Sequence, residues 1–462
     1  MDKSIAQYLS KLQITALNEM QQDSIDSLQK SNELILLSPT GSGKTIAFLL
    51  PIIEKLKEIN NANYIQCLVL VPTRELAIQI ESVFKKMQTG FKVSCCYGGH
   101  SIKTEKNNLI EAPNLLIGTP GRVDDLLKRK ILDFERVSTV VLDEFDKSLE
   151  MGYKEEMAYI LDKTARLETR ILTSATNLSE IPEFVGLQNP KTLNYLDQIK
   201  THKKLQVHKV LFGINNIQVS GAKNVDDENA DSFKEANKFT IIHRVLGKHS
   251  GASILIFFNH RDAVKRLSAY LKSIGVIHEL FHGELKQDER ERTLAKFRNG
   301  TCNILLSTDL AARGLDIPEI DVVVHYHLPI SEQAYTHRNG RTARMNADGL
   351  AYVLIPENNT ELPDFIPNDL KTIELQEFNE ALVKPVWETL YISKGKKDKI
   401  NKIDVVGFLS QKGKLTSDEI GLIEVKDFHI YVAIKADKVK FLLKNIENQK
   451  IKNVKAKIEI AR

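Results

Sequence analysis

The chain has 462 residues and a formal net charge of +4, a length that predicts about three domains and excludes a single small binding module. Its composition, 42% hydrophobic and 27% charged with 13 Pro and 23 Gly, is that of a folded globular protein rather than a disordered or fibrous one. It contains no run of about 18 apolar residues that would span a bilayer, and its first residues lack the apolar core of a signal peptide. We therefore expect a cytoplasmic protein that does not bind membranes.

The cysteines are too few to build a scaffold. Cys67, Cys95, Cys96 and Cys302 form no CxxC pair, which fits a reducing compartment and does not fit a structural zinc site. We interpret the adjacent Cys95 and Cys96 as residues in and beside the core, rather than as a redox pair.

The positive charge is concentrated at the end of the chain. Residues 389–462 contain 17 Lys and Arg against 9 Asp and Glu, whereas the first 388 residues contain 47 against 51. A charge excess is usually only a solvated face, but one sustained over this length favours an anionic partner such as nucleic acid.

Short apolar runs followed by helical patterns recur along the first 376 residues. The first series is LILLS, CLVLV, NLLIGTP, TVVLDEF and RILTSAT, and the second is ILIFF, HELFHG, NILLSTD, DVVVHYH and AYVLI. This alternation is typical of parallel sheets flanked by helices. We predict two tandem α/β domains, at 1–200 and 205–376, with a polar, acidic segment near 221–238 as an exposed loop or insertion.

A different pattern begins at Trp387. Four short strand patterns and two helical ones follow in the order βαββαβ, which is the layout of a small α+β domain of the RRM type over residues 387–462. Its third strand is predicted to expose His429 and Tyr431 and to carry Ile434 where a third aromatic is usual, which weakens the case for base stacking on the sheet. Trp387 is predicted to pack onto the core of this domain.

The run LILLS leads directly into SPTGSGKT. A turn with Gly41 and Gly43 that opens a helix can cradle phosphates with its backbone N–H groups, while Lys44 reaches the terminal phosphates and the hydroxyl of Thr45 ligates magnesium. Ser38 stands where the general pattern has glycine. The turn predicts a nucleotide-binding site.

The strand TVVLDEFD supplies the complementary acids. Asp143 is expected to hold magnesium through water, and Glu144 to orient or deprotonate the attacking water. An acidic strand end alone is often a simple cap, but together with the phosphate-binding turn it indicates nucleotide hydrolysis.

Over about residues 12–375 the chain resembles the DEAD-box RNA helicases of superfamily two. The motifs that carry the resemblance, in family order, are PTRELA at 72–77, the pair Gly98–Gly99, TPGR at 119–122, SAT at 174–176, HGELKQDER from 282, STDLAARGLD at 307–316 and HRNGRTAR at 337–344. The resemblance implies two RecA-like domains that bind ATP and Mg²⁺ between them. It also implies an RNA-dependent ATPase that separates strands locally rather than by translocation.

The resemblance also implies the role of individual residues. Those implied for ATP are Gln21 as the adenine reader, Thr40, Gly41, Ser42, Gly43, Lys44 and Thr45 in the first domain, and Gly314 and Asp316 in the second. Those implied for hydrolysis and coupling are Lys44, Asp143 and Glu144, the arginine fingers Arg341 and Arg344, and Ser174, Thr176 and His337. Those implied for RNA, through phosphates and 2′-hydroxyls, are Arg74, Gly99, Thr119, Arg122, Gly283, Gln287, Arg290 and Thr308.

Several positions depart from the family pattern. Phe145 replaces the alanine of the name-giving motif. Asn18 and Glu19 replace Pro-Thr before Gln21, and the aromatic usual upstream falls near Ser4, with Ile5 and Tyr8 as neighbours. In the last motif, the departures are Asn339 for isoleucine and Ala343 for glycine.

The tail resembles the C-terminal RNA-binding domain of DbpA-type helicases, through LYISKGKKDKI at 390–400 and HIYVAI at 429–434. This implies structured ribosomal RNA as the partner during ribosome assembly, and we expect a monomer. The candidate contact surface is the lysine loop, residues 394–399, with Lys394, Lys396, Lys397 and Lys399, although it could be only a solvated turn. Two rival functions stay open: an RNA-binding clamp in which Phe145 has abolished turnover, and a DNA helicase.

Overall fold

The computed structural model describes residues 3–39, 41–58, 63–99, 102–178, 180–196, 205–213, 227–309, 320–342, 349–357 and 362–462. The chain divides near residue 204 into two compact units. The second unit contains both the second α/β domain and the tail. In the described ranges, no helix is long and apolar enough to cross a membrane.

The first unit contains seven strands and eight helices in the residues described. They are α1 (Lys3–Lys11), α2 (Glu19–Leu28), β1 (Glu33–Leu37), α3 (Lys44–Glu58), β2 (Cys67–Leu70), α4 (Arg74–Met87), β3 (Val93–Cys96), α5 (Ile102–Asn108), β4 (Leu115–Gly118), α6 (Pro120–Lys128), β5 (Thr139–Leu142), α7 (Phe145–Glu150), α8 (Lys154–Asp162), β6 (Thr169–Ser174) and β7 (Lys191–Asn194).

The strands of the first unit form one parallel sheet in the order β3-β4-β2-β5-β6-β1-β7. Strands β2, β4 and β5 are buried along their whole length, as expected for a parallel sheet covered on both faces. Two hydrophobic clusters cover the two faces, one with Phe48 and Phe84 and the other with Phe134 and Phe145. This is the predicted parallel sheet flanked by helices.

The second unit continues the α/β pattern. Its elements up to residue 372 are β8 (Leu205–Phe212), α9 (Asp227–Lys248), β9 (Ile254–Phe258), α10 (Arg261–Ser273), β10 (Glu279–Phe281), α11 (Gln287–Arg298), β11 (Ile304–Thr308), β12 (Val322–His325), α12 (Glu332–Asn339), β13 (Gly349–Pro356) and β14 (Lys371–Thr372). The strands form a second parallel sheet in the order β10-β11-β9-β12-β13-β8-β14.

The polar segment near 221–238 differs from its prediction as a loop. Residues 221–226 lie outside the described residues, but α9 begins at Asp227. In this helix Lys238 lies over the rings of Phe212 and Tyr326, with its ammonium 4.4 and 4.8 Å from the ring centroids. The end of this polar segment is therefore helical, and its last lysine lies over aromatic rings.

The tail forms an antiparallel sheet in the order β16-β17-β15-β18. Its elements are β15 (Trp387–Ile392), α13 (Lys402–Gln411), β16 (Ile420–Val425), β17 (Ile430–Lys435), α14 (Val439–Asn445) and β18 (Ile458–Ile460). The βαββαβ order is as predicted. Both helices pack on one face of the sheet, over a core that includes Leu390, Val432 and Leu442.

Two predictions about individual tail residues were wrong. Tyr431 is 3% exposed and packs with Ala295 of α11, so the third strand does not present it to solvent. Ile434 belongs to the core on the opposite face, because it is three residues from Tyr431 on an alternating strand. Trp387 is half-buried, and Cβ atoms added at Gly421 of β16 and at Gly300, just after α11, would lie 3.2 and 3.6 Å from its ring, so it packs against its own sheet as well as against the second α/β domain.

Candidate functional site

The predicted site residues of the first unit lie along the carboxyl edge of its sheet. The phosphate-binding turn follows β1, the acids follow β5, and Ser174 ends β6, and these three strands are neighbours in the order β5-β6-β1. Arg74, Gly99 and Thr119 follow β2, β3 and β4, which adjoin them on the other side. Carboxyl edges of parallel sheets are where ligands bind, and here two groups of residues share one edge.

The turn after β1 has the backbone that phosphate binding requires. Gly41 and Gly43 have φ values of +78° and +93°, which side chains other than glycine rarely adopt. The Lys44 ammonium donates to the carbonyls of Ser38 and Pro39, at 2.5 and 3.3 Å. Burial lowers the pKa of Lys44, against the opposing charges of Asp143, Glu144 and Asp146. Thr40, also predicted here, lies outside the described residues.

Gln21 and Asn18 hold this turn from α2. The Gln21 amide donates to the Gly43 carbonyl at 3.2 Å, and the Asn18 amide donates to the Ser42 carbonyl at 3.0 Å. Asn18 also caps α2 in a reciprocal capping box with Gln21. A Cβ atom added at Gly43 would lie 2.5 Å from the Gln21 amide nitrogen, so only glycine allows this contact.

Asn18 is a residue that the sequence analysis treated only as a departure. The spacing Asn-x-x-Gln before a helix is the signal that could have identified it as a cap.

Tyr8 and Ile5, considered for the upstream aromatic, are both buried in the core of the first unit. The ammonium of Lys57 lies 5.4 Å from the centroid of the Tyr8 ring.

Asp143 and Glu144 are buried at the end of β5. Asp143 is 3% exposed and Glu144 7%. The Thr173 hydroxyl donates to the Asp143 carboxylate, and the Glu144 N–H donates to the same carboxylate at 3.1 Å. Glu144 has φ +47° and ψ +50°, a left-handed conformation that costs energy in a non-glycine residue and is often found at functional sites.

The electrostatics of this pair favour a proton or a cation. Burial, together with the charge of Glu144, raises the pKa of Asp143 to about 6, although hydrogen bonds from Thr173 and the charge of Lys44 oppose the shift. Lys147, which is fully buried, lies 3.3 Å from the Glu144 carboxylate. Thr173 is a further residue that the sequence analysis missed, and it lies next to the predicted Ser174.

The segment after β6 contacts the acidic segment directly. The Thr176 hydroxyl donates to the Asp146 carboxylate at 2.9 Å. The Ser174 hydroxyl donates to the Thr176 carbonyl at 2.7 Å, and the Ser38 N–H donates to the Ser174 carbonyl at 3.0 Å. The phosphate-binding strand, the segment 174–176 and the acids are therefore connected by hydrogen bonds.

Phe145 points away from this cluster. It is fully buried in the hydrophobic core of the first unit, with its ring centroid 6.4 Å from that of Phe184. The bulky side chain at this position therefore fills the core beneath the acids and does not cover them.

The other residue group on this edge is arranged around Arg74. Cβ atoms added at Gly98 and Gly99 would lie 3.1 and 2.8 Å from the Arg74 guanidinium, so the glycine pair makes room for this side chain. Thr119 caps α6 without a side-chain hydrogen bond to it. Arg122 donates to the Glu105 carboxylate at 2.6 Å and to the Asp125 carboxylate at 3.2 Å.

In the second unit, Arg338 joins two predicted motifs. It is 1% exposed and donates to the Asp309 carboxylate, the Asn259 amide oxygen and the His327 carbonyl, at 2.6 to 2.7 Å. Asp309 follows Thr308 at the end of β11, and Arg338 follows His337 in α12. Both members of the ion pair stand inside motifs identified in the sequence, but neither was assigned a role there.

Asn339, a departure from the family pattern, has a buried partner. Its side-chain oxygen lies 2.9 Å from Nε2 of His325. Burial lowers the pKa of His325 to about 3, together with the charge of Arg338. His337 and Arg341 are 5% and 4% exposed. The predicted residues Gly314, Asp316 and Arg344, and the departure Ala343, lie outside the described residues.

Gly283, Gln287 and Arg290 lie around the start of α11. The Gln287 amide donates to the Glu291 carboxylate at 3.2 Å, and the Arg290 guanidinium donates to the Gly283 carbonyl at 3.4 Å. Thr308 is half-buried at the end of β11, which is paired with β10. Gly283 and Thr308 therefore lie at the carboxyl ends of two adjacent strands, and Gln287 and Arg290 lie on the helix that connects these strands.

The lysine loop has a defined backbone. The N–H groups of Lys396 and Lys397 donate to the carbonyls of Lys426 and Asp427, each at 2.9 Å. Lys396, Lys397 and Lys399 are exposed, whereas Lys394 pairs with Asp398 at 2.9 Å. Three of the four predicted lysines are therefore presented to solvent by a loop anchored to the turn between β16 and β17.

Comparison with known proteins decides the family. Residues 18–184 match the model of the DEAD/DEAH box helicase domain, residues 237–346 the helicase conserved C-terminal domain, and residues 389–460 the DbpA RNA binding domain. The chain is 32% identical over 364 residues to the ATP-dependent rRNA helicase RRP3 of Encephalitozoon cuniculi, an alignment that covers 78% of this chain and 85% of that protein. The chain belongs to the DEAD-box RNA helicases.

Other DEAD-box relatives define how far the likeness extends. The ATP-dependent RNA helicase DbpA of Bacillus subtilis is 29% identical over 99% of this chain and 97% of its own length. The mitochondrial DEAD-box ATP-dependent RNA helicase 9 of Arabidopsis thaliana is 34% identical over 77% of this chain, which spans 56% of that longer protein. Among solved structures, Dbp5 of S. cerevisiae bound to RNA and ADP BeF3 has a TM-score of 0.64 at 25% identity, covering 78% of this chain and 88% of that one.

These matches confirm the predicted family and fold class: two RecA-like parallel-sheet domains followed by a small RRM-like domain. The family is one of ATP-dependent RNA helicases, which are RNA-dependent ATPases. The roles of the individual site residues stay predictions.

Proposed function

We propose that this DEAD-box protein hydrolyses ATP to remodel structured ribosomal RNA during ribosome assembly, with the tail providing the preference for ribosomal RNA. The observation that carries the hydrolytic part is the connected cluster after β1, β5 and β6, in which Thr173 binds Asp143 and Thr176 binds Asp146. Lys44, with its lowered pKa, lies in the field of the same acids.

Mg²⁺ fits the oxygen donors at this edge. A carboxylate and a hydroxyl are hard ligands of the kind that Mg²⁺ prefers, and Asp143 and Thr45 would hold it, the former partly through water. The buried hydroxyl of Ser42 has no hydrogen-bond partner among the described residues, which supports a ligand at this turn. When bound, the ion would neutralise charge on the phosphates.

The protein's own residues divide the remaining work. Lys44 binds phosphate oxygens, and Glu144 orients the water that attacks the terminal phosphate. Arg341 is proposed to stabilise charge that develops on the phosphate in the transition state. The hydrogen bond from Thr176 to Asp146 connects the acidic segment to the residues after β6, so a change in the position of one segment would be transmitted to the other.

The ribosomal preference rests on the tail and the relatives. The tail matches the DbpA RNA binding domain, and one relative is named as an rRNA helicase. The excess of 17 basic over 9 acidic residues in 389–462 favours a polyanion. A cytoplasmic location and a monomeric state stay predictions from the sequence.

Phosphate release by the full chain tests the proposal. We expect stimulation by RNA and none by DNA of the same sequence, with ribosomal fragments half-saturating at lower concentration than random hairpins of equal length. Absence of turnover with every RNA would support the clamp interpretation, and stimulation by DNA would support the DNA helicase. Equal half-saturation by ribosomal and random hairpins would remove only the ribosomal preference.

A further inference from the structure

Helix α11 lies across the face of the tail sheet that is opposite to the tail helices. Ala295 of α11 is fully buried against Tyr431 and Ala461, with Tyr391 packed at the edge of the cluster. In an RRM this sheet face is where bases stack. Here it is covered by the helix that carries the predicted RNA residues Gln287 and Arg290.

Polar contacts fix the position of the tail on this helix. Arg298, in the last turn of α11, donates to both carboxylate oxygens of Glu424 at 2.8 and 3.0 Å. The Asn299 amide donates to the hydroxyl of the fully buried Thr389 at 3.0 Å, and the Thr301 hydroxyl lies 2.7 Å from the same oxygen. Buried hydrogen bonds of this kind require one orientation, because a shifted tail would leave them unpaired.

A third contact leads from the tail to the RNA residues. Nε2 of His429, the residue before β17, lies 3.5 Å from the Glu291 carboxylate. The same carboxylate accepts a hydrogen bond from the Gln287 amide at 3.2 Å, one helical turn away. Glu291 therefore lies between a tail residue and a predicted RNA contact.

The charge on Glu291 is maintained by these partners. Burial favours its neutral form, but the contacts with His429 and Gln287 and the charge of Lys426 hold the pKa of Glu291 below its ordinary value. As a carboxylate it can only accept hydrogen bonds, so it directs the NH₂ group of Gln287 towards itself. This hydrogen bond restricts the rotamers of the Gln287 side chain.

We propose that the tail positions Gln287 for RNA through His429 and Glu291, so that docking of the tail increases the RNA affinity of the second RecA-like domain. The inference rests on the proposed RNA role of Gln287. His429 and Glu291 are positioning residues in this scheme. A side chain whose rotamer is set before binding loses less entropy when RNA arrives.

The test is a double-mutant cycle in the full chain, with an unstructured RNA as the probe. His429→Ala should raise the RNA concentration for half-maximal ATPase by about twofold to tenfold, the range that one freed side chain produces. The rate at saturating RNA should not change, and His429→Gln, which keeps a donor, should restore most of the affinity. In a Gln287→Ala background, His429→Ala should have little further effect.

Two controls separate positioning from loss of structure. Glu291→Gln removes the negative charge from the other side of the same contact. It should therefore raise the RNA concentration for half-maximal ATPase in the same way, and it provides this measurement independently of how well His429→Ala folds. Phe441→Ala changes a residue of α14 that is 50% exposed, on the opposite layer of the tail, and should leave the RNA dependence unaltered.

The outcomes distinguish this inference from the proposed function. An undiminished effect of His429→Ala in the Gln287→Ala background would overturn the positioning scheme while RNA-stimulated turnover persists. No effect of Gln287→Ala would also overturn it, again without touching the ATPase. A wild-type chain without RNA-stimulated turnover would instead remove the proposed function itself.

Discussion

Arg338 and Asp309 form a two-pronged ion pair in the second unit, with guanidinium Nε and Nη2 each 2.6 Å from a carboxylate oxygen. The pair connects α12 to the segment after β11. Two further acceptors, the Asn259 amide oxygen and the His327 carbonyl, accept hydrogen bonds from Nη2 and Nη1 of the same guanidinium. Arg338 is 1% exposed, so its four hydrogen bonds compensate for burying a charged side chain in the second RecA-like domain.

Replacing Arg338 should decrease the free energy of unfolding of the second domain. Arg338→Ala leaves Asp309 as an unpaired carboxylate, and breaking a buried pair from one side costs about 3–5 kcal/mol. Arg338→Lys should cost nearly as much, because an ammonium cannot reproduce the planar fork. Chemical denaturation of the full chain, followed by a probe in the second domain, measures the decrease in the free energy of unfolding. Unchanged stability in Arg338→Ala would mean that the pair contributes nothing.

Lys44→Ala and Glu144→Gln should both abolish RNA-stimulated ATPase, but at different steps. Lys44 contacts the phosphate-binding turn, so its removal should weaken ATP binding, whereas Glu144→Gln should still bind ATP and retain RNA. Nucleotide binding and RNA retention are measured beside turnover. Turnover at the wild-type rate in Glu144→Gln would contradict the role assigned to this residue.

The raised pKa of Asp143 predicts a pH dependence. Its carboxyl binds a proton in the folded chain up to about pH 6, and the proton competes with Mg²⁺. Magnesium-dependent ATP binding should therefore rise between pH 5 and pH 7, with a midpoint near 6, and Asp143→Asn should not show this rise. Because the folded pKa exceeds the unfolded value, Asp143 should also contribute less to stability as the pH rises from about 4 to about 6.

Phe145→Ala restores the family residue but should not improve the enzyme. The ring is fully buried beside Phe184, and truncating a buried Phe to Ala costs about 3–5 kcal/mol because a cavity remains. We expect a less stable chain whose rate per folded molecule is unchanged. Thermal unfolding and phosphate release decide this together. A large gain in turnover would support the clamp interpretation, in which Phe145 restrains hydrolysis.

The parallel sheets were predictable because their strands are continuous apolar runs. Such runs identify strands that are buried on both faces, and the site residues follow them because ligands bind at carboxyl edges. Strands β7 and β8 were not predicted, since both are largely polar or half-exposed and resemble loops in sequence. Helix α9 was missed at its start for the same reason.

The missed site residues depend on contacts between distant parts of the chain. The pairs Arg338–Asp309 and Thr173–Asp143 are 29 and 30 residues apart, and no local pattern specifies such a partner. The burial of Tyr431 was unpredictable because it requires a surface from another domain. Asn18 was different, because its capping box with Gln21 is local and could be read from the sequence.

The last prediction separates the lysine loop from general positive charge. Neutralising Lys396, Lys397 and Lys399 to Gln should weaken binding of a ribosomal hairpin by the full chain. It should also weaken the salt dependence: the magnitude of the slope of log affinity against log salt should decrease by up to about 0.9 for each phosphate that the loop no longer binds. The backbone of the loop should survive, because its hydrogen bonds to Lys426 and Asp427 come from main-chain N–H groups.

A control with the same change of net charge makes the result specific. Lys412, Lys414 and Lys450 are also exposed in the tail but lie outside the loop, so their replacement by Gln removes three charges without touching it. Titrations with the ribosomal hairpin and a matched random hairpin at several salt concentrations compare the two triple variants. If long-range charge alone drives binding, both variants should decrease in affinity and slope equally, and the lysine loop would then be only a solvated turn. If the loop contacts phosphates, its variant alone should have a lower slope, because counterions are released only where a lysine meets the RNA backbone.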